Sequence, residues 1–204
     1  MKFTFLFLAT TLIISSNAYS QDYEKVQLAF KTSYTNETNG DYSKGVEELK
    51  KVYNEDSYEI NLRLGWLTYL SGLFTESQAY YNKAITLMPY SIEARLGIVL
   101  PASSMGNWNI VIKAYDKILE LDPSNSTANY RLGMIYYGKK DYEKSLKYFE
   151  KNVNHYPFTY DSLIMYAWCN YFVGKLREAK VLFNKVIMLS PDNASAIEGL
   201  ALIK

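Results

Sequence analysis

The sequence predicts an all-α fold, an α-solenoid of about five antiparallel helix pairs closed by a short C-terminal capping helix, and three observations carry that prediction. Four of the five prolines, Pro89, Pro123, Pro157 and Pro191, stand 34 residues apart. Counted from Tyr58, Ile92, Ser126 and Tyr160, the same kinds of residue recur at the same positions with no insertion or deletion. The residues just before these starts, Ser57, Ser91, Asn125 and Thr159, with Asn193 before a fifth, carry side chains that accept a hydrogen bond from the open amides of a helix start.

Residues 1–20 stand apart from the repeat. Lys2 precedes an apolar run, Phe3 to Ile14, interrupted by Thr4, Thr10 and Thr11, and Ala18 and Ser20 are the small residues of a cleavage site. The pattern is that of a signal peptide cut after Ser20. The run is too short for a membrane-spanning helix, which needs about 20 apolar residues, and no second candidate follows, so no transmembrane segment is expected in the mature chain.

Residues 21–57 read as a degenerate first pair. Asp22 to Tyr34 would be its first helix, the polar stretch Thr35 to Asn39 a loop, and Gly40-Asp41-Tyr42 the opening of a second helix running to Tyr53. Four full units follow at 58–91, 92–125, 126–159 and 160–193. Position eight holds Gly65, Val99, Gly133 and Ala167, mostly small, so that the second helix can approach the first. Position fifteen holds Gly72, Gly106, Lys140 and Gly174, at the left-handed turn between helices. Position twenty-four is always aromatic: Tyr81, Tyr115, Phe149, Phe183. The proline then ends the second helix. Pro101 breaks the period inside a first helix, where a kink near Gly97 to Pro101 is expected. Residues 194–204 form the capping helix.

Leu64-Gly65, Tyr69, Gly72, Tyr81, Ala84 and Pro89, echoed by Leu132-Gly133, Tyr136, Asp141-Tyr142, Phe149 and Pro157, resemble the tetratricopeptide repeat (TPR) family. The departures are Val99 at a position usually Gly or Ala, Ser77, Val111 and Ser145 where Ala is usual, and Asn61 and Arg95 where Trp is usual. The resemblance implies a right-handed solenoid whose first helices line a concave face that binds a protein or peptide segment. The positions that it turns into that face hold Arg63, Trp66 and Tyr69; Leu96 and Leu100; Tyr130, Arg131, Met134 and Tyr137; and Ile164, Met165, Trp168, Tyr171 and Phe172. Aromatic and arginine side chains dominate binding energetics, so Trp66, Trp168 and the tyrosines are the expected anchors, and Arg63 and Arg131 would pair acidic groups. Family members that clamp the carboxylate end of chaperone peptides have Lys and Asn where this chain has Leu62 and Trp66, so that role is disfavoured.

Chemistry is thin. A formal charge of +1, from 22 Lys+Arg against 21 Asp+Glu, removes the electrostatic case for a nucleic-acid partner. One Cys and one His cannot build an intrachain disulfide or an ordinary structural zinc site. His155 reads as a partly buried side chain with a local hydrogen bond, and Cys169 as a small buried residue. With no phosphate loop or nucleophile elbow, neither catalysis nor a cofactor or metal is expected. The sequence leads to an exported scaffold, periplasmic or secreted and bacterial, that captures a protein. Glycan binding through stacked aromatics, or a structural place in an envelope complex, are the alternatives.

Overall fold

The computed structural model describes residues 23–203, so the signal-peptide reading of residues 1–20 lies outside the described residues. Among them are eleven helices and no strand. They are α1 (23–38), α2 (Tyr42–Lys50), α3 (Tyr58–Leu70), α4 (Phe74–Leu87), α5 (Ile92–Ser104), α6 (Trp108–Leu121), α7 (Ser126–Gly138), α8 (Tyr142–His155), α9 (Tyr160–Phe172), α10 (Leu176–Leu189) and α11 (Ala194–Leu202). From α3 onward the first helices start every 34 residues. The fold class is an all-α solenoid of helix pairs.

The chain divides after Trp108 into two compact units. In the first, α2 packs on α3, α3 on α4 and α4 on α5, with α3 also reaching α5. The second repeats the scheme: α7 on α8, α8 on α9, α9 on α10 and α10 on α11, with α9 also reaching α11. Within each unit the helices named here pack on the next along the chain, and α3 with α5, and α9 with α11, lie side by side. No helix among the described residues is long and apolar enough to cross a membrane.

Local rules set the boundaries. The side chains of Ser57, Ser91, Asn125 and Asn193 accept from the amides of Ile60, Ala94, Ala128 and Ala196, as a helix start requires. Thr159 is the exception and makes no such bond. The first helices close with a residue at positive φ: Gly40, Gly72, Gly106, Lys140 and Gly174. The amide that follows each reaches back to Asn36, Thr68, Ala102, Tyr136 or Asn170. This closure satisfies carbonyls that the helix end leaves open. α5 continues through Pro101 to Ser104, with the proline ring buried and its missing donor opposite the Gly97 carbonyl.

Two expectations at the N-terminal end need correction. Thr35 to Asn39 is not a loop, because α1 runs to residue 38. The hydroxyls of Thr35 and Thr38 bond back to the carbonyls of Lys31 and Tyr34, so these polar residues stay compatible with a helix. The second helix of that pair stops at Lys50 rather than Tyr53, and a turn carries the chain onward.

Close approach between paired helices depends on position eight. A Cβ on Gly65 would lie 3.0 Å from the Tyr81 ring, and one on Gly133 would lie 2.7 Å from the Phe149 ring. Ser77 and Ser145 on the second helices donate to the carbonyls of Gly65 and Gly133 at 2.6 and 2.8 Å. The ring at position twenty-four fills the space that the missing side chain leaves.

Candidate functional site

In the first unit, α3 turns Arg63 and Trp66 toward α1. Arg63 is only 8% exposed. Its Nε donates to Ser33 Oγ at 3.1 Å, its Nη1 meets Glu37 Oε2 at 2.5 Å, and its guanidinium lies 3.8 Å from the centre of the Tyr34 ring. Trp66 Nε1 donates to the other oxygen of Glu37 at 2.7 Å. Burial pushes the Glu37 carboxyl up, but the bonds from Trp66 and Arg63 and the Arg63 charge outweigh it, and the net shift is downward. Both side chains are therefore engaged within the chain. Arg63 has an acidic partner already, which the sequence expectation assigned to a bound protein.

Tyr69 continues this patch, 5.9 Å from Trp66 and 5.8 Å from Phe74 between ring centres. A cleft of about 560 Å³ opens between Tyr34, Tyr42, Trp66 and Leu70. Leu100, on α5, is half-buried.

The second unit gathers more of the expected residues. Tyr137 on α7 lies edge-on to Phe172 at 6.1 Å, and Phe172 stacks on Tyr142 at 4.4 Å and on Trp168 at 5.7 Å. Tyr171 stands edge-on to Trp168 at 5.6 Å. These rings, from α7, α8 and α9, form one connected network. Phe172 is nevertheless 43% exposed and Met134 37%. Arg131 is exposed and makes no ion pair among the described residues, which leaves its charge open to a ligand. Burial raises the phenols of Tyr130 and Tyr137 above their ordinary value, so they remain neutral at physiological pH.

Other residues face inward. Ile164 is buried. Tyr130 packs edge-on to Phe149 at 5.8 Å. Trp168 is half-buried, edge-on to Phe183 at 5.1 Å, and its Nε1 donates to Ser195 Oγ of α11 at 2.8 Å.

Sequence reasoning missed Glu37, Phe74 and Tyr142. The signal for the two aromatics was present: Phe74 and Tyr142 share position seventeen, and each packs on the tyrosine at position twelve, Tyr69 and Tyr137. Glu37 had no such signal.

His155 is exposed rather than partly buried, because it ends α8; its ring Nδ1 lies 2.9 Å from the Lys151 carbonyl, the expected local bond. Cys169 is fully buried 3.2 Å from Ser145 Oγ, and burial pushes its thiol up to about 11, which makes it a poor nucleophile. Among the described residues no three His, Cys, Asp or Glu side chains are grouped to hold a metal ion. The arrangement is suited to contact by shape and apolar surface.

Comparison with known proteins fits this geometry. A family model described as tetratricopeptide repeat matches residues 114–147. The chain is similar to TPR repeat-containing protein YpiA of Bacillus subtilis (strain 168), 26% identical over 165 residues, which is 79% of this chain and 39% of that protein. It spans well under half the length of the curated relatives it matches. Among solved structures, a tetratricopeptide repeat protein from Parabacteroides merdae superposes with a TM-score of 0.73 at 20% identity, covering 88% of this chain and 72% of that one. YrrB, described as a TPR protein with an unusual peptide-binding site, gives 0.68 at 12% identity, covering 90% and 95%. Residues 114–147 thus match the tetratricopeptide repeat model, and the chain shares the α-solenoid fold of these structures.

Proposed function

We propose that this chain is a scaffold that holds a protein or peptide segment against the first helices of its second unit. Met134, Tyr137, Tyr171 and Phe172 supply apolar contact, Trp168 backs them, and Arg131 pairs an acidic group. The observation that carries this reading is the exposure of Phe172 within a ring network fixed on three sides. A rigid aromatic that is already ordered loses little entropy on binding, which favours it as an anchor. The tetratricopeptide-type fold supports the reading, and the peptide-binding site of YrrB shows that such a solenoid can hold a peptide. Phe172 is already stacked on Tyr142 and Trp168, which suits insertion of an apolar side chain at its edge better than a sugar ring on its face.

The proposal includes export, resting on the signal-like residues 1–20, and cell fractionation tests it: the tagged protein is expected in the periplasm or medium. No catalytic step or cofactor enters the mechanism.

For the binding face, tagged chain is used to capture partners from its native envelope. Replacing Phe172 and Met134 together with Ser should lower capture at least tenfold, on the order of 1.4 kcal/mol or more, while far-UV circular dichroism stays unchanged. Undiminished capture by that variant would refute the assignment. These two residues are better probes than Trp66 and Trp168, whose indoles also hold helices together.

A further inference from the structure

Arg63, which lines the cleft of the first unit, carries a donor that the chain does not use. Its Nε bonds to Ser33 and its Nη1 to Glu37. Nη2 is buried, in a side chain only 8% exposed, with no hydrogen-bond partner among the described residues. A buried charged group with an unpaired N–H carries a desolvation cost that nothing returns. An oxygen that reaches this nitrogen recovers it.

The cleft is local. It sits where α1 turns into α2 and where α3 ends, since Glu37 lies in the last turn of α1, Tyr42 opens α2 and Leu70 closes α3. Its rings come from three helices: Tyr34 from α1, Tyr42 from α2 and Trp66 from α3. Its volume falls in the range of about 300–1,000 Å³ typical of small-ligand sites. A corner of this kind seats a compact ligand better than an extended chain, which would run across several first helices. The 34-residue register does not reproduce it: Arg131, at the position of Arg63, is exposed, and Met134 stands at the position of Trp66.

Arg63 and Glu37 cancel in charge, so the cleft selects neither an anion nor a cation. Together they still offer a donor beside an acceptor. The Glu37 carboxylate accepts one bond on each oxygen, from Arg63 and Trp66, and keeps further lone pairs. Neighbouring hydroxyls on a ring match this pair, because each can donate its hydrogen and accept on its oxygen. The C–H face of such a ring suits an aromatic wall.

We propose that this cleft binds a neutral sugar, its C–H face against Trp66 and Tyr42 and two adjacent hydroxyls on Arg63 Nη2 and the Glu37 carboxylate. The Tyr34 ring, 3.8 Å above the guanidinium and 54% exposed, turns aside as the sugar enters. The site is separate from the aromatic network of the second unit, so either can fail without the other.

The test titrates the full chain with maltose, cellobiose, lactose and N,N′-diacetylchitobiose and follows tryptophan fluorescence. At least one of these sugars should bind saturably. Tyr42→Leu, which keeps bulk without an aromatic face, should weaken that binding at least tenfold while far-UV circular dichroism stays unchanged. Thr38→Arg should do the same, because Thr38 lines the cleft from an exposed position and the longer side chain fills it without touching the core. The chain with Phe172→Ser and Met134→Ser should bind the sugar as wild type does. No saturable binding by any of these sugars, or binding that Tyr42→Leu and Thr38→Arg leave unchanged, would overturn the proposal. So would N-acetyl-trialanine amide binding in place of the sugars and weakening with the same variants, because the cleft would then be a peptide site. Sugar binding that Phe172→Ser with Met134→Ser removes would overturn it too, by moving the site to the second unit.

Discussion

Lys140 has a φ of +60° at the position where the other units place glycine. A side chain in the left-handed region carries a steric cost, and nothing about this exposed lysine offsets it. Lys140→Gly should therefore stabilise the protein by about 0.5–1 kcal/mol, seen as a higher urea midpoint with an unchanged slope. Glu37 acts in the opposite sense. Its folded pKa lies below the ordinary glutamate value, because Trp66 and Arg63 hold the charged form, so the stability it contributes is complete above that ordinary value and is lost as pH falls through the lowered folded one. Glu37→Gln should lower the urea midpoint at pH 7, and the gap to wild type should narrow toward pH 3. An equal gap at both pH values would show that the carboxylate charge is not what Arg63 and Trp66 hold. Single residues of this kind were the least legible part of the sequence. The aromatic character of Tyr137, Trp168, Tyr171 and Phe172 could be read from their positions in the period. That Arg63 and Trp66 turn to an internal carboxylate could not, because Glu37 sits in an irregular helix outside the 34-residue register.

The helices from Tyr58 onward follow rules that act within a few residues of the chain. Caps, a left-handed closure and a proline recur every 34 residues, so where these helices begin and end could be anticipated. The first pair lacks that support: Thr35 to Thr38 has no apolar spacing, and the back-bonded hydroxyls, the turn at Gly40 and the hold of Arg63 and Trp66 on Glu37 favour its helical form. Contacts between paired helices are similarly specific. Gly133→Ala would drive a methyl group to within 2.7 Å of the Phe149 ring and should cost about 1–3 kcal/mol by overpacking α7 against α8. Gly138→Ala, on the same helix with nothing within 4 Å of an added Cβ, should be neutral or stabilising by up to about 1 kcal/mol. Thermal denaturation of the pair separates the two cases. Equal effects would mean that helix propensity, not the approach of the ring, decides the fate of position eight.

Near-neutral charge and exposed aromatic surface set how the proposed capture would work. Long-range attraction contributes little to a chain with a formal charge of +1, so a captured partner should be held by desolvated contact with Arg131 as a local addition. Raising salt from about 0.05 to 0.5 M should change capture by no more than a few-fold, whereas binding dominated by several charge contacts would fall by orders of magnitude. The second unit is the proposed binding face because Phe172 is exposed while stacked within a ring network, whereas the first unit has its arginine and tryptophan tied to Glu37. The most direct measurement places a photo-crosslinking phenylalanine analogue at Phe172 and, separately, at Lys147 on the outer side of α8, and irradiates cells that make the protein. The account predicts a discrete crosslinked partner from position 172 and none from position 147. The same partner from 147, with none from 172, would contradict it.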